Sequence, residues 1–357
     1  MFSLAGMFRV SAKHNPTAID SSQLNYRVLD DLTEVEAIAQ EWDALLDRSP
    51  CNRAFSSAAW YLAACRYNPT LTPNVVVARR NSTLVAVLPL ALMDDGQTVA
   101  FPIRFSDYND IVAASDDLDA AVSVLSHVIS ASNGYRRISL SNLRSDSNCL
   151  RAAKLILSAS EFDRMFQVTI MCPYILLPSS YDQYLASRSA KLRKNLRRAL
   201  RDARESNLSV QELDPASFPA EELPEVFLSL QFNRKGANSC FEPPSLQSFV
   251  REALRRLFTE RKLRVFALFE EQKIIGVDLY MVGANSICSW NGGFLEEAAR
   301  WSPVKLLNDA AIKLAFDLQL EEYDYLRGEQ RYKLSWTNAS RPVGRLEIDV
   351  KDHRLAH

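Results

Sequence analysis

The sequence predicts a mixed α/β protein built as two tandem lobes, and three observations lead there. One order of elements, helices followed by a three-strand meander, a helix and a strand, can be read twice along the chain. At 357 residues the chain is long for one hydrophobic core and ordinary for two. Its 47% hydrophobic and 24% charged content is that of a globular protein, which excludes wholesale disorder.

In the first half, Leu32 to Leu46 carries Val35, Ile38, Ala39, Trp42, Leu45 and Leu46 at helical spacing, and a second helix is expected over Ser57–Tyr67. Three strands follow, Val75–Ala78, Leu84–Leu92 and Thr98–Phe101, separated by polar turns at Arg80–Thr83 and Asp94–Gly96. Asp117–Ser130 returns to helical spacing and Arg137–Leu140 alternates as a strand. The second half repeats the plan. Leu223–Gln231 and Leu246–Thr259 read as helices, and Leu263–Phe269, Ile274–Val282 and Ser286–Phe294 as a meander. Ser302–Leu318 is again helical and Tyr323–Leu326 again a strand. The divide is expected between Ser160 and Ser180, where Gln167–Met171 looks like a strand and Pro173 and Pro178 punctuate the chain. This gives a tail over 1–24, lobes over 25–165 and 166–350, and a tail over 351–357. With ten glycines in all and no Gly/Ser-rich linker, the lobes are expected to pack tightly.

Composition also narrows the function classes. A formal charge of −1 provides no global attraction to nucleic acid or membrane. Six scattered cysteines without a CxxC pair read as reduced thiols of a cytoplasmic protein, not as a disulfide framework or zinc site. Only four histidines occur, so a histidine metal centre or hydrolase triad is not expected. Arg9 and Lys13 interrupt the apolar start, which argues against a signal peptide, and the longest apolar run, Leu84–Met93, is about half a membrane span.

The sharpest local signal is basic. Over Ser189–Glu205, Leu192, Leu196, Ala199, Leu200 and Ala203 form an apolar stripe, while Arg193, Lys194, Arg197, Arg198, Arg201 and Arg204 fill the other faces. Three readings stand: a solvated face paired with acids elsewhere, an anion site suited to bidentate arginine contacts, or an RNA-binding arm.

The stretch Ser189-Ala190-Lys191-Leu192-Arg193-Lys194-Asn195-Leu196-Arg197-Arg198 resembles a motif of the CelD/BcsL-like acetyltransferases of the GNAT superfamily. Trp301-Ser302-Pro303-Val304-Lys305-Leu306-Leu307 and Tyr323-Asp324-Tyr325-Leu326-Arg327-Gly328-Glu329, followed by Tyr332-Lys333 and Trp336, resemble two more, in the same order. Weaker counterparts lie upstream at Glu41-Trp42, Ser49-Pro50, Phe55, Ser57, Trp60 and Ser106-Asp107-Tyr108. The resemblance implies a GNAT-like acyl-CoA N-acyltransferase fold, doubled as in FemAB-type proteins, and a role linked to cellulose or exopolysaccharide biosynthesis. It also implies acetyl-CoA or another acyl-CoA as donor, held by Ser302, Pro303, Val304 and Lys305, with Ser302 as helix cap and Val304 where the family has glycine. It places Tyr332 as the acid that protonates the leaving thiolate.

Amide formation needs the amine deprotonated and the oxyanion stabilised. Asp278 interrupts the apolar strand Ile274–Val282, where a carboxylate is costly unless paired or used, and is read either as general base or as a structural hydrogen-bonding group; Glu329 is a second candidate base. Arg193, Lys194, Arg197, Trp290, Arg327 and Lys333 are the candidate substrate contacts. The polar run Asp107–Asp110 lacks the further oxygen ligands of a metal loop, and no metal is expected. The function expected is acyl transfer to a small-molecule or sugar amine. The alternatives are an aminoacyl-tRNA-dependent transferase of FemAB type and a non-catalytic binding protein.

Overall fold

The computed structural model describes residues 24–102, 105–130 and 134–350. The expected tails lie outside the described residues, except Leu24, which opens the first strand.

The first lobe begins with β1 (Leu24–Leu29), α1 (Leu32–Ala37), α2 (Ala39–Leu46) and α3 (Ala58–Arg66). The single helix expected over Leu32–Leu46 is therefore two, broken at Ile38, whose φ of −99° and ψ of 0° end one helix and start the next. Ser57 caps α3 by accepting from the Trp60 amide at 3.1 Å. The meander follows as β2 (Thr72–Arg80), β3 (Thr83–Leu92) and β4 (Thr98–Ala100), with β5 (Val112–Ala113) pairing beside β3. Then come α4 (Leu118–Ser130), β6 (Arg137–Arg144), α5 (Asn148–Ile156), α6 (Ala159–Met165) and β7 (Phe166–Leu176).

The second lobe, which opens with β7, adds α7 (Tyr181–Ala186), α8 (Ala190–Glu205), β8 (Leu208–Leu213), α9 (Glu222–Lys235) and α10 (Pro244–Thr259). Its meander is β9 (Leu263–Glu270), β10 (Lys273–Val282) and β11 (Ser286–Phe294). The chain closes with α11 (Pro303–Asp317), β12 (Glu322–Asp324), α12 (Arg331–Trp336) and β13 (Ala339–Asp349).

All strands join one sheet in the order β1-β2-β3-β4-β6-β13-β7-β12-β11-β10-β9-β8, with β5 off the path. Read from its two ends inward, each half has an outer strand, an antiparallel meander and a strand parallel to the meander's last member, β6 beside β4 and β12 beside β11. At the centre, β7 pairs with β12, β13 pairs with β6, and β7 and β13 pair antiparallel with each other. The first half of the sheet is thus completed by β13, a strand from the far end of the chain. One hydrophobic cluster also crosses the divide, packing Phe55, Trp60 and Tyr108 with Phe227, Phe241, Phe249 and Leu254.

Candidate active site

The two faces of β10 part the chemistry of the second lobe. Val277, Leu279 and Met281 enter the core beneath α9 and α10, whereas Ile275 and Tyr280 enter the one beneath α8 and α11. Asp278 lies on the Tyr280 side of that alternation. Between β10 and β11 the register slips: Leu279 pairs with Asn291 but Tyr280 with Ser289, so Trp290 is the extra residue of a β-bulge. The parallel pairing of β11 with β12 stops at Cys288 and Asp324. Beyond it β11 runs on to Phe294, while the other chain turns to β7 through the Tyr325 amide on the Pro173 carbonyl at 3.0 Å and the Gly328 amide on Met171 at 3.0 Å. The strands splay apart there.

A cleft of about 650 Å³ fills the splay. Val277, Asp278 and the run Ser289–Phe294 line it from the sheet, Val304, Lys305, Leu307 and Asn308 from the first turns of α11, and Ser189, Lys191, Leu192 and Asn195 from the start of α8. Lys235 and, from α12, Tyr332, Lys333, Ser335 and Trp336 complete it. The volume suits a ligand of cofactor size.

Asp278 is the buried carboxylate of this cleft. Its Oδ2 accepts from the Tyr280 hydroxyl at 2.9 Å and its Oδ1 from the Leu279 amide at 3.2 Å. Burial outweighs both bonds and raises its pKa to about 7, from an ordinary value of 3.8. Glycine is required opposite it: a Cβ on Gly292 would stand 2.7 Å from Asp278 Oδ1, and one on Gly293 2.9 Å from the Leu230–Gln231 backbone of α9. Gln231 fastens the same segment by donating to Asn291 Oδ1 at 2.7 Å and to the Gly292 carbonyl.

The other residues singled out in the sequence fall into three places. Tyr332, Trp290, Lys333, Val304 and Lys305 border the cleft with Asp278. Tyr332 is 51% exposed in the first turn of α12. The Trp290 indole donates to the Phe105 carbonyl at 3.3 Å and packs among Trp60, Phe227 and Phe241, which ties the bulge to the first lobe. The Lys333 ammonium is buried and donates to the Arg327 carbonyl at 2.8 Å; burial lowers its pKa.

A second group sits outside the cleft lining. Glu329 is exposed beyond the β12 turn, away from Asp278's pocket. Arg327 is held by Asp107 and by Asn142 at 3.2 Å, so its guanidinium joins the lobes instead of facing the cleft. Arg193, Lys194 and Arg197 lie on the flank of α8, because the helix presents Lys191, Leu192 and Asn195 to the cleft and 193 and 197 are rotated away. Leu200, counted in the buried stripe of that helix, is 37% exposed.

The third place is the start of α11. Pro303 does open the helix, but Ser302 does not cap it with its side chain. Its φ of 58° and ψ of 57° are left-handed, whereas a side-chain cap needs extended geometry to aim the hydroxyl at the first amides. Its carbonyl instead accepts from Lys305 at 2.9 Å, and Ser302 and Pro303 lie behind the cleft-lining Val304 and Lys305.

Asp324, within the third motif, is a structural centre not singled out in the sequence. It is fully buried, accepts from the Tyr108 hydroxyl at 2.8 Å and the Leu326 amide at 2.7 Å, and lies 3.7 Å from Arg341. Leu326 adopts a φ of 58° in the turn this fixes. The available signal was a charged residue inside an apolar strand, the one that singled out Asp278.

Residues 190–334 match the family model described as Acetyltransferase (GNAT) domain. The fold is a doubled GNAT fold. Among solved structures, FemX is similar over 89% of this chain and 98% of its own, with a TM-score of 0.63 and 12% identity. L-PGS from Bacillus licheniformis is similar over 88% of this chain and 91% of its own (TM-score 0.56, 11% identity). The C-terminal domain of a putative lysylphosphatidylglycerol synthetase from Agrobacterium fabrum aligns over 88% and 92% (TM-score 0.53, 12% identity). At these identities the likeness is one of fold. No curated protein matches the sequence. Among the described residues no helix is long and apolar enough to cross a membrane, and no cluster of His, Cys, Asp and Glu could hold a metal ion.

Proposed function

We propose that the protein is an N-acyltransferase that moves an acyl group from acyl-CoA to an amine bound in the β11–β12 cleft. The observation that carries this is Asp278: a buried carboxylate with its pKa raised to about 7, on the wall of a cleft whose edge is the first turn of α11. A base of that pKa can take the ammonium proton near neutrality. The positive end of the α11 dipole favours the donor's phosphates, and Lys305 adds a charge beside them. The extended backbone of β11 beyond Cys288 offers the donor's arm amide groups along the side β12 leaves open. Tyr332 is the group we assign to protonating the leaving thiolate. In this assignment Ser302 and Pro303 shape the turn and Val304 and Lys305 meet the donor. Glu329 is not needed as a base. The lobes are assigned to 25–165 and 166–350, with β13 of the second crossing the seam to pair with β6 of the first.

The acceptor, on this reading, is a small-molecule or sugar amine, and the CelD/BcsL-like motifs point to polysaccharide or cell-envelope biosynthesis in the cytoplasm. A second reading, an aminoacyl-tRNA donor, is favoured by the basic flank of α8, where exposed Lys194 and Arg197 and half-buried Arg193 can meet a polyanion. Calorimetric titration with acetyl-CoA, then with aminoacyl-tRNA, separates the two. Saturable acetyl-CoA binding with release of free thiol in the presence of amines supports the first. Binding of aminoacyl-tRNA alone supports the second, and binding without turnover of either donor reduces the protein to a binding module.

A further inference from the structure

Asn308 stands one turn below Val304 on α11 and borders the same cleft. It is 1% exposed. Its Oδ1 accepts from the Tyr323 hydroxyl at 3.1 Å, whereas its Nδ2 is buried with no hydrogen-bond partner. A buried amide group with an unmet donor is rare and destabilising. Leu306, Leu307, Ala311 and Ile312 around it on the helix are apolar and closely packed, and an apolar residue would fit this position at lower cost. Behind it Tyr323 is itself fully buried, in edge contact with Tyr325 and tilted against Tyr280, the residue that holds Asp278. Each phenol has a single proton. The Tyr280 proton is given to Asp278 and the Tyr323 proton to Asn308 Oδ1, and the amide nitrogen is the end left over.

We propose that Asn308 is a ligand-binding residue of the cleft: its Nδ2 donates to an acceptor oxygen on the arm of the bound donor, and Tyr323 is the positioning residue that holds the amide in that orientation. The inference rests on the acyl-CoA reading above. It accounts for a buried amide donor left without a partner on the cleft side of α11. It also links the two sides of the site, since Tyr280 and Tyr323 pack together between Asp278 and Asn308.

The test is a calorimetric titration of acetyl-CoA into the full chain and into Asn308→Leu, which removes the donor at nearly constant volume, with thermal unfolding of both. The proposal expects dissociation constants at least about fivefold higher in the variant, with a cooperative melting transition retained, since the unmet donor is gone while the Tyr323 hydroxyl loses its acceptor. If the unpaired Tyr323 hydroxyl prevents folding, the double variant Asn308→Leu/Tyr323→Phe, apolar at both partners, replaces it with the same expectation. Tyr323→Phe alone is expected to weaken binding by less than Asn308→Leu. Equal affinity in wild type and a folded Asn308→Leu or double variant overturns the assignment while leaving the donor reading intact. A wild type that does not bind acetyl-CoA overturns the donor reading and this inference with it.

Discussion

Asp278 concentrates the chemistry of the site in one side chain, and its burial sets two opposed expectations. As a base it must be ionised, so the rate of transfer is expected to rise through about pH 7 and that limb to vanish in Asp278→Asn, with turnover lower by about 10²–10⁴-fold. For stability the sign reverses. The folded pKa lies above the ordinary 3.8, so the folded state binds this proton more tightly than the unfolded chain does. Its contribution is most favourable at low pH and is lost as pH rises from about 4 to about 7. Asp278→Asn should therefore melt higher than wild type at pH 8 and show no such gain at pH 4, as thermal unfolding at the two pH values will show. Gly292→Ala is the companion test. A Cβ 2.7 Å from Asp278 Oδ1 must displace the carboxylate or the strand, so turnover should fall with secondary structure retained by circular dichroism. Asp278 was legible in the sequence because a carboxylate within Ile274–Val282 violates the apolar pattern. Asn308 was not, because a neutral amide in a helix leaves no such signature. The Asp107 partner of Arg327 was not legible for a related reason: a cation beside a motif carries no sign of the carboxylate that the fold brings to it.

At the scale of elements, α8 and α11 can be tested separately. Lys305→Glu reverses the charge in the first turn of α11 and should lower affinity for acetyl-CoA, whereas Val304→Gly should preserve or raise it by opening the approach to the helix start; a titration of each variant checks both. Replacing Arg193 and Arg197 by Gln on the flank of α8 should weaken binding of a polyanionic donor in a salt-dependent way and leave acetyl-CoA affinity within about twofold. Periodicity made most of these elements legible: the residues of β11 and the start and end of α8 were read almost unchanged from the sequence. The strands β1, β8 and β13 were missed. β1 and β8 are edge strands with alternate residues exposed, so their apolar pattern is short and weak. β13 carries Arg341, Arg345 and Glu347 among its eleven residues, because parts of it serve ion pairs and not the core.

The whole molecule is one sheet whose two central strands, β7 and β13, open and close the second lobe's run of sequence. Repetition of elements revealed two lobes, but no local pattern could reveal that β13 completes the first half of the sheet, since its pairing with β6 spans more than half the chain. That crossing strand predicts a single cooperative unfolding transition, seen identically by tryptophan fluorescence and circular dichroism; two separated transitions would contradict it. The lobes also meet through Phe105 on Trp290 at the cleft's border, and through Tyr108 on Asp324 and Asp107 on Arg327. The central claim is that the acyl donor lies in the β11–β12 splay, and a crystal structure of the protein with acetyl-CoA tests it most directly. The donor's arm is expected to extend along Ser289–Gly293 beside Asp278, with its phosphates at Val304 and Lys305. Acetyl-CoA bound anywhere else, with the splay empty, would contradict it.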